Sequence, residues 1–214
     1  MEFDLMTGSA TWSNNAELAR RLDAVGFSGL PYTETSHGPR RPVSASQVPW
    51  MQISHAAAAA PSLTFTTGIA VAFPRSPMVT ASTAWEIAQN TGGRFRLGLG
   101  SQVKGHVVRR YSSEFAPPGP RMRDYVLAVR ACLRAFRREE PLSYEGEFYK
   151  LSYLPEAWAP PRHDFEHIPI DISAVGPYMT RMAGEVADGI HVHPLHSTHY
   201  LTERLLPAVA EGAE

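Results

Sequence analysis

Short apolar segments alternate along the chain with longer segments whose apolar residues recur every three or four positions. The short segments have the length and the glycine or proline boundaries of buried strands. The longer ones show one helical face, as Leu18, Leu22 and Val25 do. Strands that alternate with helices predict βαβ units and a parallel sheet. Six strand–helix units follow one another, and the predicted strands are "FDLMTG", "FSGLPYTE", "LTFTTGIAVAF", "RFRLGLG", "IPIDISAV" and "GIHVH".

A long interruption separates the fourth predicted strand from the fifth. Residues 105–167 contain one clear helix, whose apolar face includes Val126, Val129 and Phe136, and a segment, "LSYEGEFYKLS", whose alternation predicts a hairpin. Segments this long inside a compact domain are usually lids or insertions. Because an eight-stranded barrel normally takes about 250 residues, the residues alone leave two folds open: a doubly wound sheet, or a barrel without its last quarter.

Composition narrows the class of protein further. The net charge of -1 gives no electrostatic case for a nucleic-acid partner. The single cysteine, Cys132, excludes an internal disulfide and lies on the apolar side of its helix, which predicts buried packing. No apolar run reaches the roughly 18 residues of a membrane span, and "MEFDLMTGSATWS" lacks the pattern of a signal peptide. We therefore expect a cytoplasmic protein without a membrane or nucleic-acid partner.

The segment "AVGPYMTRMAGEVADGIHVHP" carries the most specific candidate chemistry. Pro177 suits a first helical turn, where its missing N–H has no partner to lose. Gly176 allows a ligand to approach the backbone closely. The free N–H groups and the dipole of the helix that starts here favour an anion. The alternative is that Gly176-Pro177 is a plain strand-to-helix turn.

Histidines follow the same helix on the sixth predicted strand. His191 and His193 share one face because side chains alternate along a strand, and His196 and His199 come soon after. An H-x-H pair can bind zinc, but the other ligands of such a site are not apparent, so we predict no metal. His193 and His196 are instead candidates to face a cofactor or substrate, the alternative being polar residues at the mouth of a barrel.

Four pieces in a fixed order carry a family resemblance: "TGGRFRLGLGSQVKGHVVRRYS", "RMRDYVLAVRA", "YEGEFYKLS" and the histidine-tipped segment above. The chain resembles the luciferase-like monooxygenase superfamily, and within it the branch that uses deazaflavin coenzyme F420. The resemblance implies a TIM-type (β/α)8 barrel that lacks its last two strand–helix units and has a long insertion after strand four. Residues 1–214 are then a single incomplete barrel domain, with 105–167 as the insertion.

The resemblance also implies where a cofactor binds. Family members place the cofactor's phosphate near the turn of Ala174, Gly176 and Pro177 and near the end of strand six. His37 corresponds to a residue close to the reactive ring carbon, where a histidine can donate a proton. A non-proline cis peptide, carried over to the Ala70–Val71 bond, supports the back of the ring. The residues expected to bind the cofactor are Ala70, Val71, Ser101, Gln102, Ala174, Gly176, Pro177, His193 and His196, and those expected to act in catalysis are His37 and His193.

The function implied by this resemblance is hydride transfer between F420 and a small organic substrate. One alternative is a monooxygenase of the same fold that uses flavin mononucleotide (FMN). The other is a non-catalytic truncated barrel, whose open sheet edge would pair with another chain. The superfamily usually forms dimers, so a homodimer is the expected assembly.

Overall fold

The computed structural model describes residues 2–7, 11–34 and 48–214. Its described residues divide into two compact units. The first unit comprises Met1–Ala70, Thr83–Gly98 and Asp164–Ile168. The second comprises Val71–Ser82, Leu99–His163 and Pro169–Glu214.

Parallel strands form the first unit's sheet. Their order is β1 (Gly29–Tyr32), β2 (Thr64–Thr67) and β4 (Phe95–Gly100), with Leu30 opposite Phe65 and Phe65 opposite Phe95. The predicted N-terminal strand pairs in parallel with β1 through bridges at Asp4 and Thr7. The elements that contribute to this unit are α1 (Trp12–Ala24), β1 (Gly29–Tyr32), α2 (Pro49–Ala57), β2 (Thr64–Thr67), the first residue of β3 (Ala70–Val71), the later part of α3 (Pro77–Asn90) and the start of β4 (Phe95–Gly100).

A buried polar side chain ties α1 to its neighbours in the first unit. Asn15 is fully buried, accepts a hydrogen bond from the Tyr32 hydroxyl at 2.5 Å, and donates one to the Gln52 carbonyl at 2.8 Å. Buried amides are tolerated when they are hydrogen-bonded in this way. Burial raises the pKa of the Tyr32 phenol, so it stays a neutral donor. The apolar core around it contains Leu30, Ile53, Leu63, Phe65, Trp85, Phe95 and Leu97.

The second unit holds Val71–Ser82, the end of β4 and most of the elements that follow β4. The strand order is β4, β7 (Ile170–Ser173) and β8 (Gly189–His191), and β7 runs parallel to β8 with Ile172 opposite Ile190 and Ser173 opposite His191. The predicted helix face with Val126, Val129, Cys132 and Phe136 is buried. The elements are a π-helix (His106–Arg110), α4 (Pro118–Phe136), β5 (Tyr144–Glu145), β6 (Lys150–Leu151), a 3-10 turn (Glu156–Trp158), β7 (Ile170–Ser173), α5 (Pro177–Val186), β8 (Gly189–His191), α6 (Thr198–Tyr200), a π-helix (Leu201–Leu205) and α7 (Leu206–Ala213).

The predicted hairpin forms, and a buried carboxylate fixes it to α4. β5 and β6 pair antiparallel, with Tyr144 opposite Leu151. Asp124 accepts hydrogen bonds from the Phe148 and Tyr149 backbone N–H groups, at 2.6 and 3.1 Å, and from the Tyr144 hydroxyl. Three donors to one carboxylate offset the cost of burying it.

One local prediction differs from the structure. The segment "LTFTTGIAVAF" is predicted as one strand, but it forms β2 and β3 with a cis peptide bond between Gly68 and Ile69. Pro207 lies in the first turn of α7, directly after the π-helical stretch Leu201–Leu205, where the missing N–H of a proline is tolerated.

Asp188 joins three elements of the second unit. Its carboxylate accepts hydrogen bonds from the Ile170 N–H at 2.7 Å, at the start of β7, and from Arg130 of α4 at 2.9 Å. Arg130 also donates to the Val186 carbonyl at the end of α5, at 2.9 and 3.0 Å. The carboxylate therefore fixes β7 and the end of α5 to α4.

The two substitutions Asp188→Ala and Asp188→Asn should lower the free energy of unfolding by different amounts. Asp188→Ala should lower the free energy of unfolding by about 2 kcal/mol, since two hydrogen bonds of roughly 1 kcal/mol each are lost. Asp188→Asn keeps an acceptor for the Ile170 N–H and should lose about half as much. Urea unfolding of the three proteins tests this, and equal stability of wild type and Asp188→Ala would contradict it.

Candidate functional site

The amino end of α5 is open. Gly176 is the N-cap residue in an extended conformation (φ -79, ψ 157), Pro177 follows as the first helical residue, and no side chain caps the turn. A Cβ atom added to Gly176 would meet no atom within 4 Å. The N–H groups of a first helical turn have no partner inside the helix. The turn therefore presents N–H donors that no side chain caps.

Side chains from the segment after β8 reach this turn. The Tyr200 hydroxyl donates a hydrogen bond to the carbonyl oxygen of Val175, the residue before Gly176. The ring of His196 lies against the Tyr200 ring, with centroids 4.3 Å apart, and the His193 ring lies 5.8 Å from that of His196. The structure thus brings together the predicted residues Gly176, Pro177, His193 and His196, together with Tyr200.

The Nδ1 atoms of His193 and His196 differ in their hydrogen bonding. The Nδ1 atom of His193 accepts a hydrogen bond from the Leu195 N–H at 3.2 Å, so in the neutral ring the proton is on Nε2. The Nδ1 atom of His196 is buried and has no hydrogen-bond partner among the described residues. A buried nitrogen in this state is suited to a ligand that supplies its partner.

A third histidine, His191, lies on β8 itself. Nε2 of His191 is 4.0 Å from the carboxylate of Asp171, which is 8% exposed at its side chain. The register of β7 and β8 places these residues on neighbouring strands. Within residues 2–7, 11–34 and 48–214, no group of three or more histidine, cysteine, aspartate or glutamate side chains is placed to hold a metal ion.

The end of β4 supplies the other predicted residues of the second unit. The Ser101 hydroxyl donates to the Gln102 carbonyl at 3.2 Å, and Gln102 has a left-handed backbone with φ 59. The Ala72 N–H donates to the Gly100 carbonyl at 3.0 Å, which places Val71 and Ala72 beside this strand end. Ala70 and Val71 are both 1% exposed, so neither the backbone nor the side chain of either residue reaches the surface.

Not every predicted residue joins the cluster at α5. His37 lies outside the described residues, and Ala70 belongs to the first unit. The cis peptide predicted at Ala70–Val71 is wrong in position, because the non-proline cis bond lies at Gly68–Ile69. A family resemblance implies the presence of such a bond but not its position, because no residue pattern marks a non-proline cis peptide.

Tyr200 was missed from the sequence. Its partner Val175 is 25 residues away in the chain, and no local pattern connects them. The one available signal was the four-residue spacing from His196, which is typical of side chains that meet along a helix.

A separate cavity lies in the first unit. It has a volume of about 450 Å³ and is lined by α2 and α3, including Trp50, Met51, Glu86 and Ile87. None of the predicted site residues lines it. It is therefore not the candidate site, although its size falls in the range of ligand pockets.

Over the described part of the chain, no helix combines the length and apolar character that crossing a membrane requires.

Comparison with known proteins identifies the family. The family model for luciferase-like monooxygenases matches residues 2–214. The chain belongs to the luciferase-like monooxygenase family. The resemblance in the four sequence pieces is thereby confirmed.

Relatives of this luciferase-like protein include enzymes that use F420. The uncharacterized protein Rv1360 of Mycobacterium tuberculosis is 38% identical over 197 residues, which is 92% of this chain and 55% of that protein. The F420-dependent glucose-6-phosphate dehydrogenase of Gordonia bronchialis is 27% identical over 147 residues, 66% of this chain and 41% of that enzyme. The chain thus spans about half the length of the relatives it matches.

Solved structures confirm the predicted fold class. The F420-dependent tetrahydromethanopterin reductase of Methanopyrus kandleri superposes with a TM-score of 0.75 at 20% identity, over 100% of this chain and 60% of that one. The oxygenating constituent of 3,6-diketocamphane monooxygenase from Pseudomonas putida, in complex with FMN, superposes with a TM-score of 0.74 at 18% identity, over 100% of this chain and 62% of that one. At these identities the likeness shows the luciferase-type α/β fold alone.

Proposed function

We propose that this chain carries the cofactor-binding part of an oxidoreductase that transfers hydride between F420 and a small organic substrate. Membership of the luciferase-like family supports the reaction class, and the F420-dependent relatives support the cofactor. The single observation that carries the proposal is the open turn at Gly176 with His196 and Tyr200 beside it. A helix start with an open N-cap is a natural site for a phosphate group.

The residues present fit a phosphorylated cofactor. The N–H groups of Gly176, Tyr178 and Met179 would hold a phosphate oxygen, helped by the positive end of the α5 dipole. The Thr180 N–H is already bonded to the Gly176 carbonyl, at 3.0 Å.

The ring of the cofactor is assigned to the strand ends. Ser101 and Gln102 would contact its polar edge. His193 would hold charge or a proton through its Nε2–H, since its Nδ1 is engaged. His37 would supply a proton near the reacting carbon. F420 itself supplies the hydride chemistry, and the protein orients the ring and excludes water.

FMN is the second candidate cofactor. It shares a phosphate and a tricyclic ring with F420, and the structurally similar oxygenating monooxygenase constituent binds it. The same turn would then hold the same phosphate, and the reaction would be an oxygenation. The homodimer expected from the sequence remains part of this proposal for either cofactor.

Fluorescence titration of this chain with F420 and with FMN tests the proposal. We expect saturable binding of F420 at least about ten-fold tighter than that of FMN, a difference of roughly 1.4 kcal/mol. Tighter binding of FMN than of F420 would instead support FMN as the cofactor. A folded chain that binds neither would contradict the oxidoreductase proposal and favour the non-catalytic alternative.

A further inference from the structure

We propose that Tyr200 is a positioning residue that orients the phosphate-binding turn at the start of α5. The inference rests on the proposed function, because it assigns Tyr200 to the same site. Tyr200 does not contact the cofactor in this account. It acts through the peptide bond between Val175 and Gly176, whose carbonyl oxygen accepts its hydroxyl.

Because the peptide bond is planar, the hydrogen bond from Tyr200 affects the Gly176 N–H as well as the Val175 carbonyl. In a trans peptide the carbonyl of Val175 and the N–H of Gly176 lie in one plane and point in opposite directions. A hydrogen bond that fixes the carbonyl therefore also fixes the direction of the Gly176 N–H. This N–H belongs to the N-cap residue of α5, at the point where an anion would sit.

The position of Tyr200 is itself determined by its neighbours. Its ring lies against His196 at 4.3 Å between centroids, with an interplanar angle of 39°. Its backbone N–H donates to the Ser197 hydroxyl at 3.2 Å, because Ser197 is the N-cap of α6. Tyr200 is therefore held at its backbone and at its ring, and its hydroxyl is directed to one acceptor.

The hydrogen bond between Tyr200 and Val175 should contribute little to the free energy of unfolding. Val175 is 51% exposed and Gly176 is exposed, so water can reach the turn. An exposed carbonyl exchanges a protein donor for water at little net cost. The hydrogen bond selects one orientation of a turn that glycine would otherwise leave free to vary. The hydrogen bond from Tyr200 therefore controls the orientation of the Gly176 N–H that is proposed to bind the phosphate.

The experiment compares each cofactor with its phosphate-free counterpart. FMN is titrated against riboflavin, and F420 against the same deazaflavin ring without its phosphodiester tail, on wild type and on Tyr200→Phe. The phenylalanine keeps the ring on His196 and removes only the hydroxyl. We expect affinity for the phosphate-bearing ligand to fall about five-fold, the effect of one hydrogen bond, with phosphate-free affinity changed less than about two-fold. The matched control is Tyr153→Phe, since Tyr153 is 81% exposed and in the same unit.

The outcomes separate this inference from the proposed function. If Tyr200→Phe leaves the ratio between phosphate-bearing and phosphate-free ligands at its wild-type value, Tyr200 does not orient the turn. Equal losses for both ligands with a lower melting temperature would show a merely structural role and also overturn the inference. A wild type that binds both ligands equally tightly has no phosphate contact at α5, which overturns the inference but leaves ring binding intact. If the wild type binds none of these ligands, both the proposed function and the role of Tyr200 are contradicted.

Discussion

Replacement of Gly176 by aspartate should weaken binding of a phosphate-bearing cofactor about a hundred-fold while the fold keeps its stability. The new carboxylate would stand where the phosphate is proposed to bind. Two like charges about 6 Å apart repel by roughly 3 kcal/mol at an effective dielectric constant of 20. A change of this size corresponds to about two orders of magnitude in affinity.

The same substitution should leave α5 intact or improve it. Gly176 is the N-cap residue, its φ of -79 is accessible to any residue, and a Cβ atom there meets nothing within 4 Å. Aspartate is a preferred N-cap, and its advantage over glycine is a few tenths of a kcal/mol. Binding and stability are therefore expected to change in opposite directions, which a general disruption of the fold would not produce.

Gly176→Asn is the matched control for charge. Asparagine has the same shape as aspartate and caps a helix about as well, but it carries no charge. We expect it to lower cofactor affinity less than about ten-fold, since it occupies space without repelling the phosphate. Titration of the two variants with FMN and with F420, beside urea unfolding, gives the comparison. Equal affinities of the aspartate and asparagine variants would show that no anion binds at this turn.

Gly184→Ala should destabilise the second unit by about 2 kcal/mol. A Cβ atom at Gly184 of α5 would lie 2.1 Å from the carbonyl oxygen of Val209 and 3.2 Å from its Cα. At Gly212 of α7 the corresponding distance to the Arg181 carbonyl oxygen is 1.8 Å. These contacts are with backbone, so the two helices have to separate. Overpacking costs roughly 1–3 kcal/mol or more, and the better helix propensity of alanine returns about 1 kcal/mol at most.

Gly105→Ala is the control for this prediction. Gly105 is also in the second unit and has a right-handed helical backbone (φ -60, ψ -38), and a Cβ atom there would meet nothing within 4 Å. Alanine at this position should leave the free energy of unfolding unchanged or raise it slightly. Urea unfolding of the two variants and the wild type provides the measurement. If Gly184→Ala is as stable as Gly105→Ala, the close packing of α5 against α7 is not real.

The sequence alone was sufficient where structure depends on local pattern. The β-branched run that became β2, the apolar face of α4 and the hairpin of β5 and β6 were all predicted. Local periodicity and backbone preference decide such elements, so a single sequence carries the information.

Features that depend on distant partners were not accessible in this way. The close approaches of Gly184 to Val209 and of Gly212 to Arg181 depend on how α5 and α7 pack, which the helical spacing of either segment does not show. Tyr200 acquires its role from a carbonyl on another segment. Helical spacing shows which face is apolar, but it does not show which loop or helix that face meets.

Amide chemical shifts of this chain measured during addition of FMN and then of riboflavin test the central claim most directly. Phosphate binding at α5 predicts that the N–H signals of Gly176, Tyr178 and Met179 move with FMN and stay nearly still with riboflavin. Signals that move equally with both ligands, or that move only around the Trp50 cavity of the first unit, would contradict it.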